Sequence, residues 1–284
     1  MARVLNGKEV ACAISARVQE QVATLKERGI EPKLAILRVG DREDDLSYER
    51  GAMKRAANCG ISVEQVVLDA GCTQEELEAS IKRLNGDANV HGILMFRPLP
   101  AHLDQAAAEA LIDAAKDVDG ITTASLAGVF ANSGQGFAPC TAAACMEVLH
   151  HYGIQTAGKR AAVIGRSLVV GRPVAMMLMH ANATPTICHT KTQDAAAITR
   201  EADIVVVAAG RMETIGAKYF APGQTVIDVG IGWSEQKGKL VGDVIFDAVE
   251  PIVSAITPVP GGVGAVTTSV LMEHVAQAAA RQAG

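Results

Sequence analysis

The chain has 284 residues, of which 49% are hydrophobic, 20% charged and 3% aromatic, and its formal net charge is −5. This length predicts one large or two medium domains, and the acidic balance argues against a general nucleic-acid-binding protein. Six scattered cysteines without a C-x-x-C pair predict free thiols, and no signal-peptide pattern or membrane span is found in the sequence. We therefore expect a soluble, cytoplasmic protein of the α/β class with no membrane or nucleic-acid partner.

The first half of the chain alternates short aliphatic runs with helical patterns. Strands are predicted at "KLAILRV" (33–39), "VEQVVLD" (63–69) and "VHGILMF" (90–96). One helix is predicted from Ser47 to a stop at Gly60, a second from Thr73, which has capping-box spacing to Glu76, and a third in "AHLDQAAAEALIDAA". Such alternation predicts βαβ units and a mainly parallel sheet.

A stretch dense in Gly, Ser and Pro, "NSGQGFAPCT" (132–141), is the best candidate for a domain boundary. A new alternation follows it, with strands predicted at "RAAVIG" (160–165), "TPTICH" (184–189), "DIVVVAAG" (203–210) and "QTVIDVGIG" (224–232). The C-terminal stretch "GAVTTSVLMEHVAQAAARQ" predicts a long helix. We therefore predict two α/β domains.

The stretch "AAVIGRSLVVGRPVAMMLMHAN" predicts a dinucleotide-binding βα turn. A buried strand leads to Gly165, and Gly171 begins an apolar helix. Glycines let the backbone approach a pyrophosphate, and the helix N-terminus offers free N–H groups. The spacing differs from G-x-G-x-x-G, so a tight turn without a ligand is the alternative.

The end of the next predicted strand indicates which dinucleotide binds. NAD sites commonly carry an acidic residue about 20 residues after the glycines. Here the strand ends in His189, Thr190 and Lys191 without a carboxylate, and Arg166 and Arg172 lie in the preceding loop. This basic, hydroxyl-bearing set favours NADP over NAD, the alternative being that these residues are only solvated.

Two further motifs bear on function, as does the lack of metal-ligand and serine-hydrolase patterns. The Gly/Pro-rich loop "PVPGGVGAVT" (258–267) precedes a helix and suits a planar ligand. "KDVDGITT" (116–123) lacks the later acidic ligands of a calcium loop, so it predicts a turn with one buried, hydrogen-bonded Asp. The histidines show no metal-ligand spacing and no G-x-S-x-G occurs, so we predict neither a metal site nor a serine hydrolase.

Taken in order, these stretches resemble the methylenetetrahydrofolate dehydrogenase/methenyltetrahydrofolate cyclohydrolase family over nearly the whole chain. The most specific matches are "GRSLVVGRP", "TPVPGGVG" and "KDVDG". The resemblance implies a folate-binding α/β domain (1–139 with 268–284), a Rossmann-type NADP-binding domain (140–267), a cleft between them and a homodimer. It implies hydride transfer from 5,10-methylenetetrahydrofolate to NADP, and in many members hydrolysis of the methenyl product to 10-formyltetrahydrofolate.

The family's functional residues carry over by position. Tyr48 matches the tyrosine that stacks on the folate and Asp119 the aspartate that contacts the pterin, so both are expected to be catalytic. Residues expected to bind folate are Tyr48, Asp119, Pro260, Gly261, Gly262 and Val263. Residues expected to bind the dinucleotide are Gly165, Arg166, Ser167, Gly171, Thr190 and Ile231.

Several positions depart from the family pattern, and in the cofactor site Thr190 replaces a more usual serine. The family's helix reads Y-V-x-x-K-x-K, and its catalytic lysine falls on Ala52, while Lys54 matches the second lysine. The glutamine of the family's V-Q-L-P-L-P falls on Phe96. The serine before the tyrosine becomes Asp45, and a downstream asparagine becomes Ser125.

The departures separate two activities. Hydride transfer needs mainly orientation of two planar groups, whereas ring opening needs a positioned acid or base. The sequence therefore predicts a folate dehydrogenase with weak or absent cyclohydrolase activity. The alternatives are the ordinary bifunctional enzyme and a catalytically silent nucleotide-binding regulator.

Overall fold

The computed structural model describes residues 1–284 and divides into two compact units. One comprises Ala13–Cys140 and Thr268–Gly284, and the other comprises Met1–Cys12 and Thr141–Thr267. We call them the three-stranded unit and the six-stranded unit, after the main sheet of each. No helix combines the length and apolar character needed to cross a bilayer.

Strands and helices alternate along most of the chain. The strands are β1 Arg3–Val4, β2 Lys33–Val39, β3 Ser62–Leu68, β4 Gly92–Met95, β5 Arg160–Ile164, β6 Thr184–Cys188, β7 Ile204–Val207, β8 Thr225–Asp228, β9 Gly232–Ser234, β10 Lys239–Val241 and β11 Ala255–Ile256. The α-helices are α1 Gly7–Glu27, α2 Glu43–Cys59, α3 Gln74–Gly86, α4 Gln105–Leu111, α5 Thr123–Ala131, α6 Cys140–His151, α7 Gly171–His180, α8 Ala195–Arg200, α9 Phe246–Val249 and α10 Thr267–Gln282. Two 3₁₀ turns span Ala217–Tyr219 and Val263–Ala265.

The sheet of the three-stranded unit has the order β3-β2-β4, and both pairs are parallel. β2 is central and almost wholly buried, as its largely apolar sequence predicts. One face of this sheet packs against α3, where Leu77, Ile81 and Leu84 recur at helical spacing in a single buried cluster. The capping box predicted at Thr73 is confirmed, because Thr73 and Glu76 exchange side-chain and backbone hydrogen bonds.

The sheet of the six-stranded unit has the order β1-β11-β8-β7-β5-β6, and every pair is parallel. From β5 the chain passes through α7 to β6, and through α8 back to β7 on the other side of β5. The strand order therefore reverses between β5 and β7. In open α/β sheets, ligands bind at the carboxyl ends of the strands beside such a reversal.

The first twelve residues depart from the predicted domain boundaries. The prediction joined residues 1–12 to the 13–139 domain, whereas the structure assigns them to the six-stranded unit. The reason is backbone pairing: β1 lies parallel to β11, and the N–H of Leu5 donates to Ile256 O at 2.9 Å. A two-residue strand carries no periodic signal, so only its distant partner reveals it.

Three predicted elements differ most from the structure in their bounds. The helix predicted from Ser47 begins at Glu43, and its acidic first turn suits the positive end of the helix dipole. The third predicted helix is confined to Gln105–Leu111. The strand predicted over 224–232 ends at Asp228, and a separate antiparallel hairpin of β9 and β10 follows.

Candidate active site

A glycine-bounded loop joins β5 to α7 at the reversal of strand order. Gly165 has φ +127°, and a Cβ there would lie 2.1 Å from Ala208 O at the end of β7. A Cβ on Gly171 would lie 2.2 Å from Gly165 O, so both glycines permit close backbone packing. The Ser167 hydroxyl accepts the N–H groups of Val170 and Gly171 at 3.1 and 3.4 Å and thus closes the turn that leads into α7. Arg166 is exposed in this loop, beside the positive end of the α7 dipole.

A pocket opens beside this loop at the carboxyl ends of β5, β6 and β7. Gly165, His189 and Thr190 line it together with Arg211 and Tyr219. The His189 ring accepts the Lys191 N–H at 3.1 Å, which shapes the loop after β6. No carboxylate lines this pocket.

The Gly-rich loop before α10 packs against its own unit. The Gly7 N–H donates to Gly261 O at 2.8 Å, and a Cβ on Gly262 would lie 2.4 Å from Pro258 O. Gly262 and Val263 are buried, whereas Pro260 is exposed and Gly261 partly so. Gly262 is therefore required by internal packing. Ile231, predicted to bind the dinucleotide, is 60% exposed.

A second pocket, of about 250 Å³, lies in the three-stranded unit. Its lining residues come from α2, from β4 with the residues that follow it, and from the 116–120 turn: Asp44, Asp45, Tyr48, Leu94, Met95, Phe96, Arg97 and Asp119. The rings of Tyr48 and Phe96 meet edge to face, with centroids 5.7 Å apart. The structure therefore brings together Tyr48, Phe96 and Asp119, which lie far apart in the sequence.

Helix α2 is anchored on both sides of Tyr48. Asp45 binds Arg42 through two 2.8 Å hydrogen bonds. Glu49, 3% exposed, binds Arg38 of β2 at 3.0 Å and Gln65 of β3 at 2.7 Å. These contacts fix the helical turn that presents Tyr48, whose side chain is 39% exposed, to the pocket.

The helix is regular over the positions where the family pattern places its lysines. α2 continues through Gly51 and ends at Gly60, which has φ 75° and caps the helix, so the stop predicted there is confirmed. Ala52 is fully buried one turn beyond Tyr48, whereas Lys54 is exposed and does not line the pocket. A regular helix gives Lys54 no route to the Tyr48 face.

The 116–120 turn divides its charged side chains among three tasks. The buried Lys116 Nζ donates to three carbonyls at the C-terminal end of α3, those of Leu84, Asn85 and Asp87, at 3.1, 2.8 and 2.7 Å. The buried Asp117 carboxylate accepts the N–H groups of Ile121 and Thr122 at 3.0 and 2.8 Å, which confirms the predicted turn with one buried Asp. Asp119 is left to face the pocket.

The pKa of the Asp119 carboxyl is higher than that of an ordinary aspartate. Burial raises the pKa of its carboxyl to about 6, and the Arg97 guanidinium, 3.4 Å away, opposes that rise. Asp117 raises the pKa further, while a hydrogen bond with Cys140 lowers it. A carboxyl with this pKa changes charge close to neutral pH.

Sequence reasoning missed two basic residues in these pockets. Arg97 directly follows Phe96 in "MFRPLP", at a position where the family pattern has leucine, and this substitution was the available signal. Arg211 lies in the loop after β7, and the buried Asp243 carboxylate accepts the N–H groups of Gly210 and Arg211, each at 2.8 Å. No local pattern predicts that contact, because Asp243 lies 32 residues further along the chain.

Comparisons with known proteins match nearly the whole chain. Two tetrahydrofolate dehydrogenase/cyclohydrolase domains are recognised, the catalytic domain over residues 5–119 and the NAD(P)-binding domain over 139–283. The chain is 50% identical over 279 residues to the "Bifunctional protein FolD" of Carboxydothermus hydrogenoformans, covering 98% of this chain and 97% of the relative.

Two solved structures superpose closely on the chain. The bifunctional enzyme FolD of Campylobacter jejuni has a TM-score of 0.95 and 40% identity, with 99% of each chain covered. The FolD of Trypanosoma brucei, solved with NADP cofactor and an inhibitor, has a TM-score of 0.92 and 39% identity, covering 99% of this chain and 98% of that one.

Proposed function

The chain belongs to the tetrahydrofolate dehydrogenase/cyclohydrolase family, and from that premise we propose that it oxidises 5,10-methylenetetrahydrofolate to the methenyl form with NADP as hydride acceptor. The observation that carries the proposal is the pocket that combines Tyr48 with Asp119. An aromatic ring and a carboxylate are the groups that a pterin requires. The expected homodimer and cytoplasmic location remain predictions.

The residues at the strand ends of the six-stranded unit fit a dinucleotide. The Gly165–Gly171 loop and the N-terminus of α7 would hold the pyrophosphate, and Arg166 and Thr190 would hold the 2′-phosphate. The pocket has no carboxylate to repel that phosphate. When bound, the nicotinamide supplies the hydride acceptor.

The pocket of the three-stranded unit can orient and stabilise the folate. Tyr48 offers a ring face for stacking, and the Asp119 carboxylate can accept both the N3–H and the 2-amino group of a pterin. Loss of a hydride leaves a positive charge spread over N5, the bridge carbon and N10. The carboxylates of Asp45 and Asp119 favour that charge electrostatically.

Ring opening by water is the second candidate activity, and the comparisons favour it over its loss, because the matching relatives are named bifunctional. We propose that it is slow in this chain. The support is local: Ala52 and Phe96 occupy the positions of the family's lysine and glutamine, and Lys54 does not line the pocket. Neither replacement can transfer a proton.

Replacing Tyr48 tests the folate site. We expect Tyr48→Ala to weaken folate binding about 5- to 150-fold, because stacking on an aromatic ring contributes about 1–3 kcal/mol, by analogy with nucleic-acid bases. The apparent affinity is obtained by varying the folate concentration while NADPH formation and methenyl-folate absorbance are followed at two wavelengths. The Kd of NADP is the control. Tyr48→Phe keeps the ring and should retain most of the affinity. An equal loss of NADP affinity would place Tyr48 elsewhere, and a wild-type protein that binds NADP without turnover would support the silent regulator.

Cofactor choice is tested at Arg166. We expect wild-type protein to use NADP with higher kcat/KM than NAD, and Arg166→Ala to weaken NADP binding about 10- to 100-fold, because hydrogen bonds to charged groups contribute about 1.5–3 kcal/mol. The Kd of NAD should barely change, since NAD lacks the 2′-phosphate. Arg200→Ala, an exposed arginine on α8 outside the pocket lining, is the matched control. An equal kcat/KM with NAD would show that Arg166 and the basic strand end face solvent and do not bind the 2′-phosphate.

A further inference from the structure

Arg97 lies between two carboxylates at the edge of the folate pocket. We propose that Arg97 is a positioning residue that holds Asp119 ionised and oriented for the pterin, and so sets the pH range over which the protein binds folate. This inference rests on the proposed function. It goes further by giving a role to a residue at which this chain departs from the leucine of the family pattern.

The arginine is held from both sides. Its Nη2 lies 3.4 Å from Asp119 Oδ2, and its Nη1 lies 3.4 Å from Glu109 Oε1 on α4. Gln105 steadies Glu109 through a 2.9 Å hydrogen bond, and its own oxygen accepts the Leu99 N–H at 3.1 Å. A guanidinium pinned at one end by Glu109 presents its other end to Asp119 in a single direction.

The ion pair of Arg97 with Asp119 is partly buried, so the charge of Arg97 affects the ionisation of Asp119. The side chains of Arg97, Glu109 and Asp119 are 22%, 23% and 22% exposed. Exposed ion pairs contribute little, but partly buried pairs are screened much less by water and salt. The ionisation of Asp119 should therefore respond measurably to the loss of Arg97.

No cation other than Arg97 lines the pocket around Asp119. Asp44 and Asp45 face it from α2, and Asp117 lies in its own turn. Cys140, from the start of α6, hydrogen-bonds to Asp119, and His274 of α10 lies 3.7 Å from the Cys140 sulfur while its ring nitrogen bonds to Val118 O. Arg97 is the cation that lines the pocket.

The direction of the effect follows from these charges. Burial and Asp117 raise the pKa of the Asp119 carboxyl, and Arg97 lowers it. Without Arg97 the protonated acid is favoured at higher pH. A protonated carboxyl loses one acceptor position toward the pterin N–H groups, so folate affinity falls as pH drops through that pKa.

Substitution of Arg97 tests the proposal with two readouts. The Kd of tetrahydrofolate is measured from pH 5 to 8, and the ¹³C shift of the Asp119 carboxyl is followed by NMR without ligand. Asp119→Asn, which cannot titrate, gives the pH dependence of the ligand itself. We expect Arg97→Met to raise the pKa of the Asp119 carboxyl by about one pH unit. The pH at which tetrahydrofolate binding weakens should rise by the same amount. Below that pH the variant should therefore bind folate about tenfold more weakly than wild-type protein at the same pH. Arg97→Lys, which keeps a positive charge, should leave both curves close to their wild-type positions.

Arg83→Met, which removes the cation of an ion pair with Glu64 outside the pocket, should move neither curve. A loss of affinity in Arg97→Met that is equal at every pH, with the carboxyl titration unmoved, would show a merely structural role and overturn the inference. If wild-type protein binds no folate at any pH, the proposed function fails. The NMR titration then still decides whether Arg97 governs Asp119.

Discussion

Purified protein supplied with 5,10-methylenetetrahydrofolate and NADP is expected to accumulate the methenyl product, with little hydrolysis above the spontaneous rate. A general acid or base contributes about 10²–10⁴-fold to such a step. The position one turn beyond Tyr48 is a buried alanine, and the ring of Phe96 stands beside Tyr48 where the family pattern has glutamine. An effect of this size is readily measured by following NADPH and the methenyl chromophore separately.

The double change Ala52→Lys with Phe96→Gln should raise the hydrolysis rate at least tenfold. The new lysine would lie on the Tyr48 face of a regular helix, and the smaller glutamine would vacate the space of the Phe96 ring. Because Ala52 is fully buried, each variant needs a thermal melt and a dehydrogenase assay to show that it is folded. The single change Ala52→Lys, with Phe96 still present, is the matched control and should gain less.

Rapid hydrolysis by wild-type protein would instead support the bifunctional enzyme that the named relatives suggest. Two variants would then locate the group responsible. Loss of hydrolysis in Lys54→Ala would mean that the helix register is misassigned. Loss of hydrolysis in Asp119→Asn at saturating folate, with the rate of Lys54→Ala unchanged, would identify the Asp119 carboxyl, of pKa about 6, as the group that activates water.

Lys116→Met is expected to lower the free energy of unfolding by about 3 kcal/mol, because it removes charge-assisted hydrogen bonds and leaves carbonyls unsatisfied at a helix end. Lys116 is 6% exposed, and its ammonium donates to the carbonyls of Leu84 and Asn85 in the last turn of α3 and to that of Asp87 just beyond it. Methionine keeps the length of the side chain but donates nothing. Urea unfolding followed by two spectroscopic signals measures the change.

Lys82→Met is the matched control on the same helix. Lys82 is exposed and pairs with Glu78 at 3.2 Å, so its removal should cost less than about 1 kcal/mol. Equal losses in the two variants would show that the Lys116 contacts add nothing to stability. Since Lys116 and Asp119 share one turn, the Lys116 variant should also bind folate more weakly.

Local sequence signals predicted the elements that have strong periodicity or caps. "KLAILRV" predicted β2 to the residue because an apolar run of that length suits a strand buried on both faces. The start of α2 was placed four residues late, since Arg42 makes no side-chain cap and gives no start signal. The side chains that complete the pocket could not be predicted from local sequence patterns, because the pairing of Arg97 with Asp119 spans 22 residues. The inward packing of Gly262 likewise depends on Pro258 and not on a ligand.

The pairing of β1 with β11 has a consequence for biosynthesis. The strand that leaves the ribosome first must wait for Ala255 and Ile256, which emerge almost a whole chain length later. The three-stranded unit likewise waits for α10 at the extreme C-terminus. A nascent chain that has not yet reached Ala255 therefore holds neither unit complete, and its unpaired strand edges stay available to chaperones or to aggregation. Because each unit is built from two separate segments of the chain, neither can be expressed as one uninterrupted fragment.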